Sequence, residues 1–546
     1  MKRTAYALAL ILPAILLTTT AVAISIPLEE NAPKLILVLA LDQMRYDYLP
    51  RFNDLYKGGL RRLIDKGAVF TNANYRHAVT ETGPGHSVIL SGRHPSHSGI
   101  VGNTWWDPLL GMLINVVDDP LQPPVGGKGR SASPANFLGS TVADLLKLKN
   151  PESHVVATSF KDRAAILLAG HRGDAAYWFE GDGSFVTSSY YMPKPPEWLS
   201  KWNVERVADA YAGRKWTRLL EDQNIYEKYA GRDEQAGEAE GDLVFPHVLE
   251  GRPPSVEYYA NLRNFPFADE ILLAFSIEAM KAHHLGRGQT TDILGIGFSA
   301  TDTIGHRYGP DSQEILDQFL RLDQILDQLF QYIDRNIGLA NTLVVVTADH
   351  GVTPLVEVSN AKGVNARRGS RAEVDSALRQ AFAKKYPGVD GLIADLTMAG
   401  EFRLYLEEDV IRQNKLISSD VEETAVKAMT STGLFEVAFT RSDLVAQKPS
   451  NDPYIQWFRN SFFAPRSPNV MLMPKRNISF TTTGTGHGTA YDYDRHVPII
   501  FMGSGIKPGS YAGECGPEDI APTLAKILGF DYPKEFDSRL LLEMLN

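Results

Sequence analysis

The chain nearly lacks cysteine. Cys515 is the single one in 546 residues, so no disulfide can close within the chain and no cysteine cluster can hold a metal. A lone cysteine of this kind reads as a packed bystander rather than a catalyst. Basic excess is missing too. Lys and Arg total 55 against 65 Asp and Glu, a formal net charge of -10. A chain of that balance is not suited to neutralising the phosphate backbone of a nucleic-acid duplex. Any anionic ligand must therefore be held by a local site. Past residue 23 there is no apolar run long enough to cross a bilayer, and no internal repeat that would signal a solenoid. With 44% hydrophobic residues, the chain can build a large core, and more than one structural unit is expected.

The N-terminus has what a targeting segment needs. Met1-Lys2-Arg3 is basic, Ala5 to Leu17 is apolar, and Ala21-Val22-Ala23 is a small-residue cleavage pattern. Residues 1–23 therefore read as a signal peptide. The alternative is a retained anchor, and either one exports the chain to the periplasm or beyond the cell. Residues 24–546 would be the mature catalytic chain.

Thr82-Gly83-Pro84-Gly85-His86, followed by an apolar run from Val88 to Leu90, is the stretch around which the rest is arranged. The glycines allow a tight turn and close approach of backbone, and Pro84 suits the first turn of a helix. Thr82 is expected just ahead of a helix N-terminus, where free N–H groups attract an anion such as phosphate. The competing reading is an ordinary N-cap.

Buried strands recur along the chain, each ending in polar residues. Lys34 to Leu41 ends in Asp42, and His154 to Thr158 precedes Lys161 and Arg163. Asp292 to Phe298 precedes Asp302 and His306, and Thr342 to Thr347 precedes Asp349 and His350. Continuous apolar runs of this length are typical of parallel sheets covered on both faces. Helical patterns between them predict an α/β fold with a mainly parallel central sheet. One is a long amphipathic helix marked by Ile315, Phe319, Leu322, Leu326, Leu329 and Ile333. Residues 104–139 read as loop, with Trp105 and Trp106 as packed or entrance-lining aromatics. About 174–260 and 355–480 read as insertions, the second a small α+β unit. His487 lies in a Gly-rich loop.

Asp42, Asp302, His306, Asp349, His350 and His487 thus gather at the carboxyl edge of one sheet, where open α/β sheets bind ligands. Asp302 and His306 are four apart, one helical turn. Carboxylates and imidazoles together suit zinc, and three of each can hold two ions.

In the order Leu41-Asp42, Thr82 to His86 with Gly92, His97 to Ile100 with Asn103, Asp302 to His306, Asp349-His350-Gly351 and Gly486-His487-Gly488, these motifs resemble the alkaline phosphatase superfamily across nearly the whole mature chain. The nearest branch is the bacterial exported phosphate-irrepressible alkaline phosphatases with a threonine nucleophile. The nucleotide pyrophosphatase/phosphodiesterases come next. The resemblance implies an alkaline-phosphatase-like sandwich and two zinc ions. One would be held by Asp302, His306 and His487. The other would be held by Asp42, Asp349, His350 and the Thr82 hydroxyl. Thr82 would be the nucleophile, Asn103 a donor to a phosphate oxygen, and small phosphate monoesters the substrates. Lys161 and Arg163 would mark the monoesterase branch and disfavour the alternative, a phosphodiesterase. A sulfatase would need cysteine or serine in place of Thr82. A phosphomutase would usually carry serine there and no export signal. The oligomeric state and the physiological ester are not set by the residues.

Overall fold

The computed structural model describes residues 32–239, 241–398, 402–446, 449–531 and 538–545; the signal peptide read at 1–23 lies outside them. A ten-stranded sheet forms the centre. Its middle is five parallel strands in the spatial order Thr342–Thr347, Leu35–Leu41, Asp292–Phe298, Val155–Ser159 and Ala175–Phe179. Antiparallel partners follow on both flanks, Ile499–Gly503 beside Thr342–Thr347 and Phe185–Ser188 beside Ala175–Phe179. The expected mainly parallel α/β sheet is therefore observed.

The strand Leu35–Leu41 shows why its run is unbroken. Leu35, Leu37, Leu39 and Leu41 enter one hydrophobic core, and Ile36, Val38 and Ala40 enter the other. A side chain on either face is buried, so no position along the strand is left for a polar residue. The first core is covered by helices Phe267–Ala282 and Gln313–Asn336, and all six apolar residues of the predicted amphipathic stripe are buried in it. The second is covered by Val142–Lys149, Asp162–Ala169 and Ile520–Ile527. Cys515 is fully buried in this second core, where burial pushes its thiol up to about 12, so it stays protonated and inert.

Two sequence readings need correction. The central sheet does not stop at residue 174, because Ala175–Phe179 pairs in parallel with Val155–Ser159. The aromatic residues Tyr177, Trp178 and Phe179 gave that strand an unusual composition, but Tyr177 and Phe179 are buried against Phe275 and Phe185, and Trp178 is buried in the second core. Within 104–139 there is also a β-hairpin, Thr104–Asp107 paired with Met112–Asn115. Trp105 is packed in the second core beneath the Arg466 guanidinium, while Trp106 is half-buried.

Between residues 371 and 474 a separate four-stranded antiparallel sheet forms, in the order Ile393–Met398, Phe402–Leu406, Val470–Pro474, Phe435–Thr440. Helices Arg371–Lys385 and Ser418–Thr430 close its own small core with Val374, Leu378, Val421 and Leu472.

Candidate active site

Four adjacent strands deliver the candidate residues in spatial order: Asp349, then Asp42, then Asp302, then Lys161, each just beyond its strand's carboxyl end. Asp302 and His306 lie on the helix Ala300–Tyr308, one turn apart, with His306 Nε2 3.3 Å from Asp302 Oδ1. His487 Nε2 is 3.8 Å from the same oxygen. These three form one group with metal-ligand geometry. The outer nitrogens of both rings are fixed by backbone: His306 Nδ1 lies 2.8 Å from the Thr485 carbonyl and His487 Nδ1 2.7 Å from that of Thr80. Such contacts leave Nε2 as the nitrogen turned to the carboxylate.

Asp42 and Asp349 belong to a second group, and the structure adds His86 to it. His86 Nε2 is 3.3 Å from Asp42 Oδ1, and Nδ1 is 3.5 Å from Asp349 Oδ2. His350 Nε2 lies 3.2 Å from Asp349 Oδ2, and its ring stacks on His487 at 3.5 Å. The two groups are thus contiguous. Asp42 Oδ1, Asp349 Oδ2, His86 Nε2 and His350 Nε2 are buried without a hydrogen-bond partner. Buried polar atoms are rarely left so. Oxygen and imidazole donors converging with unshared lone pairs fit a divalent metal of the zinc type.

Electrostatics agree. Burial works against Asp302, but Lys161 and His306 hold its carboxyl well below the usual range. Burial likewise opposes Asp349, yet His350 and His86 keep it low. Burial lowers His350, but Asp349 prevails and pushes it up to about 9. Burial, reinforced by His350 and His306, keeps His487 neutral.

Thr82 is the first residue of the helix Thr82–Ile89 and is 1% exposed. Glu81 occupies the N-cap position and the end has no side-chain cap. The N-cap reading of Thr82 is thereby overturned, and its hydroxyl is not used in capping. Gly85 permits the approach of this helix to the sheet, since a Cβ there would lie 2.1 Å from the Asp349 carbonyl oxygen. The expectation of free N–H groups for an anion needs adjusting. Gly83 N–H donates to Asn103 Oδ1 at 2.8 Å, Gly85 N–H donates to Glu81 O, and Pro84 has none. The Asn103 side-chain carbonyl thus faces the helix.

Lys161 Nζ bridges both groups, 2.6 Å from Asp302 Oδ2 and 2.9 Å from Asp42 Oδ2. Arg163 is in the first turn of Asp162–Ala169, and its Nη2 donates to Thr82 Oγ1 at 3.5 Å. Of the two cations, Arg163 touches the candidate nucleophile.

Other residues that build the site were not singled out from sequence. Gln43 has a left-handed backbone with φ 65°. Its N–H donates to Asp349 Oδ1 and its Nε2 to Asp302 Oδ1, tying one group to the other. Glu81 accepts from Asn103 N–H at 2.6 Å and pairs with Arg403 of the separate four-stranded sheet. No local pattern marks either residue. His86 could have been found, because it stands one helical turn after Thr82 on the same face.

The helix carrying Asp302 is anchored by buried Asp269, which accepts from Ala300 N–H at 3.2 Å and from Gln318 Nε2 at 2.7 Å. Burial pushes this carboxyl from 3.8 up to about 7, although both hydrogen bonds oppose it. A folded value above the unfolded one stabilises the chain fully below about pH 4, and the contribution is lost as pH rises through about 7. A difference of that size corresponds to about 4 kcal/mol. Asp269→Asn should therefore flatten the fall in unfolding free energy between about pH 4 and pH 7, measured by denaturant titration. An unchanged slope would mean that Asp269 ionises in the fold as freely as in water.

Comparison with known proteins places this geometry. Residues 36–496 match the family model described as type I phosphodiesterase / nucleotide pyrophosphatase. The chain is 31% identical to alkaline phosphatase PhoV of Synechococcus elongatus, over 95% of this chain and 94% of that one. It is 31% identical to alkaline phosphatase PafA of Elizabethkingia meningoseptica, over 94% of each. It is 34% identical, over 92% of each chain, to a Myroides odoratus protein named calcium-transporting ATPase. The crystal structure of wild type PafA superposes with a TM-score of 0.86 at 29% identity, covering 94% of this chain and 99% of that one. Among the described residues no helix is long and apolar enough to cross a membrane. The chain belongs to the type I phosphodiesterase/nucleotide pyrophosphatase family and, with PhoV and PafA as its relatives, to the alkaline phosphatases within it.

Proposed function

We propose that this exported alkaline phosphatase hydrolyses small phosphate monoesters through a covalent phosphothreonine at Thr82, with two zinc ions as its metals. The observation that carries the reading is the setting of Thr82. Its hydroxyl accepts from Arg163, and its helix carries the His86 ring lying between Asp42 and Asp349. One ion would be held by Asp302, His306 and His487, the other by Asp42, Asp349, His350 and the Thr82 hydroxyl, with His86 alongside. Such ions supply positive charge at the attacking and leaving oxygens and make a hydroxyl a competent nucleophile. The residues account for the rest. Thr82 Oγ1, relieved of its proton, forms a bond to phosphorus as the ester oxygen departs and takes up a proton. Arg163, Lys161, and Asn103 through Nδ2, offer hydrogen bonds to phosphoryl oxygens, while Gln43 keeps the carboxylates in place. Water then cleaves the phosphothreonine, freeing inorganic phosphate and restoring Thr82. A PafA variant altered at a threonine, an asparagine, a lysine and an arginine is among the structures this chain resembles, the residue types proposed for these four roles. The leader read at 1–23 supports a periplasmic or secreted location.

Diester hydrolysis is the second reading, favoured by the description of the family model. One experiment tests both the metals and the substrate class. Purified enzyme should contain two zinc ions per chain and prefer a phosphate monoester over a diester and a sulfate ester. It should lose the monoester activity to a chelator and regain it with Zn2+. Active protein with no transition metal would end the zinc assignment, and faster turnover of the diester would exchange the two readings.

A further inference from the structure

A third group of potential ligands lies apart from the catalytic ones. His77 sits in the loop leading to Thr82, His94 follows the helix Thr82–Ile89, and Glu518 belongs to the short turn Pro517–Asp519 near the C-terminus. One ligand atom from each falls within 4.8 Å of the others. His94 Nδ1 is already 3.5 Å from Glu518 Oε1. Four-coordinate zinc with bonds of about 2.0–2.1 Å places its ligand atoms about 3.4 Å apart. One side of the triangle has that length, and the others need to contract.

The burial of these groups is what calls for a ligand. His77 and Glu518 are 0% exposed. Neither nitrogen of His77 meets a hydrogen-bond partner in good geometry, and Glu518 Oε2 has none. A buried imidazole and a buried carboxyl oxygen without a well-aligned hydrogen bond carry a desolvation cost. Burial first, then His94 and Arg495, holds His77 neutral, which is the form that binds metal. Burial, against the pull of Arg76, pushes Glu518 up to about 7. The carboxylate is also shaped into place. Its Oε2 lies against the Gly516 backbone, where a Cβ would come within 2.2 Å of it. Its other oxygen accepts from Arg76 N–H at 2.7 Å.

We propose that His77, His94 and Glu518 form a buried structural site for a divalent transition metal of the zinc class, separate from the catalytic ions. Two imidazoles and a carboxylate suit that class of ion. Glu518 can contribute both oxygens, which completes four donors without water. The ion would fasten the loop that ends at Thr82 to the C-terminal segment, two pieces of chain far apart in sequence.

The test counts metal in the full chain, not activity. Wild type, Glu518→Gln and His77→Asn proteins are equilibrated with Zn2+, freed of excess, and analysed for zinc per chain and for melting temperature. Each variant should hold one equivalent less than wild type and melt several degrees lower. The glutamine variant keeps the side-chain shape and the Arg76 hydrogen bond, so its count decides the matter if the asparagine variant does not fold. A zinc count in Glu518→Gln equal to that of wild type overturns the site. The comparison is a difference, so it does not depend on how many ions the catalytic groups bind.

Discussion

Replacing Thr82 by alanine should lower monoester turnover by several orders of magnitude and leave the fold intact. The size of the loss follows from the proposed chemistry. Without the hydroxyl there is no covalent route, and only the field of the site and substrate binding would remain. The structure says why the fold should survive. Thr82 does not cap its helix, and among the described residues its hydroxyl's side-chain hydrogen bond is from Arg163 Nη2 at 3.5 Å, the limit of such a bond. Removing Oγ1 therefore strands no strongly bonded partner, and alanine is a good helix former at that position. Thr82→Ser keeps the oxygen and loses only a methyl group, so it should retain part of the activity. Single-turnover kinetics with a phosphate monoester, beside melting curves for each variant, measures both sides of the statement. Near-normal turnover in a folded Thr82→Ala protein would remove Thr82 from the chemistry. The same site would then have to act through a directly attacking water.

The parts of this molecule legible in its sequence are those fixed by short-range constraints. Leu35 to Leu41 could be read as a strand covered on both faces because each of its residues is apolar, and the two cores divide them by parity. Asp42, Asp302 and Asp349 were recognisable because a polar residue within a few positions of a buried strand's end has few places to be except the sheet edge. Asp302 and His306 were paired by helical spacing alone. What stayed hidden depends on contacts between distant segments. Arg403 reaches Glu81 and the Thr104 carbonyl from another sheet, across more than half the chain. Neither residue sits in a periodic pattern that would have announced the meeting. Gln43 is similar: a non-glycine residue with a left-handed backbone is chosen for the two hydrogen bonds it makes, and those are visible only when Asp302 and Asp349 are in place. The strand Ala175–Phe179 was missed for another reason. Its large aromatics look like a cap over a site, whereas the sheet's flank is wide enough to bury them.

Removing Lys161 and Arg163 together should cost the monoester reaction about a thousandfold or more, and the diester reaction far less. A monoester's phosphoryl group has three free oxygens and nearly two negative charges, while a diester's has two free oxygens and one charge. The additional charged oxygen needs partners of its own. Arg163 is placed to be one, its guanidinium beside the Thr82 hydroxyl and its Nε buried without a hydrogen-bond partner. A planar fork of this kind matches phosphoryl oxygens well. Lys161 is the less obvious participant, since its ammonium is held by Asp302 and Asp42. Burial lowers its basicity, but the two carboxylates prevail and keep it charged. It thus carries positive charge at the junction of the two ligand groups, where the phosphoryl oxygen not shared with an ester would come. Charge-assisted hydrogen bonds that strengthen in the transition state contribute roughly 2–4 kcal/mol each in a water-excluded site. Two of them therefore amount to about a thousandfold or more, at tenfold per 1.36 kcal/mol. Because Lys161 touches two proposed metal ligands, zinc content has to be measured in the same preparations. The decisive quantity is kcat/KM for a monoester and for a diester in the Lys161→Ala/Arg163→Ala protein with its metal count unchanged. A loss confined to the monoester assigns the pair to recognition of the third oxygen. Equal losses on both substrates would make the pair a support of the carboxylates and of the general field, and would return diester hydrolysis to contention as the chain's own reaction.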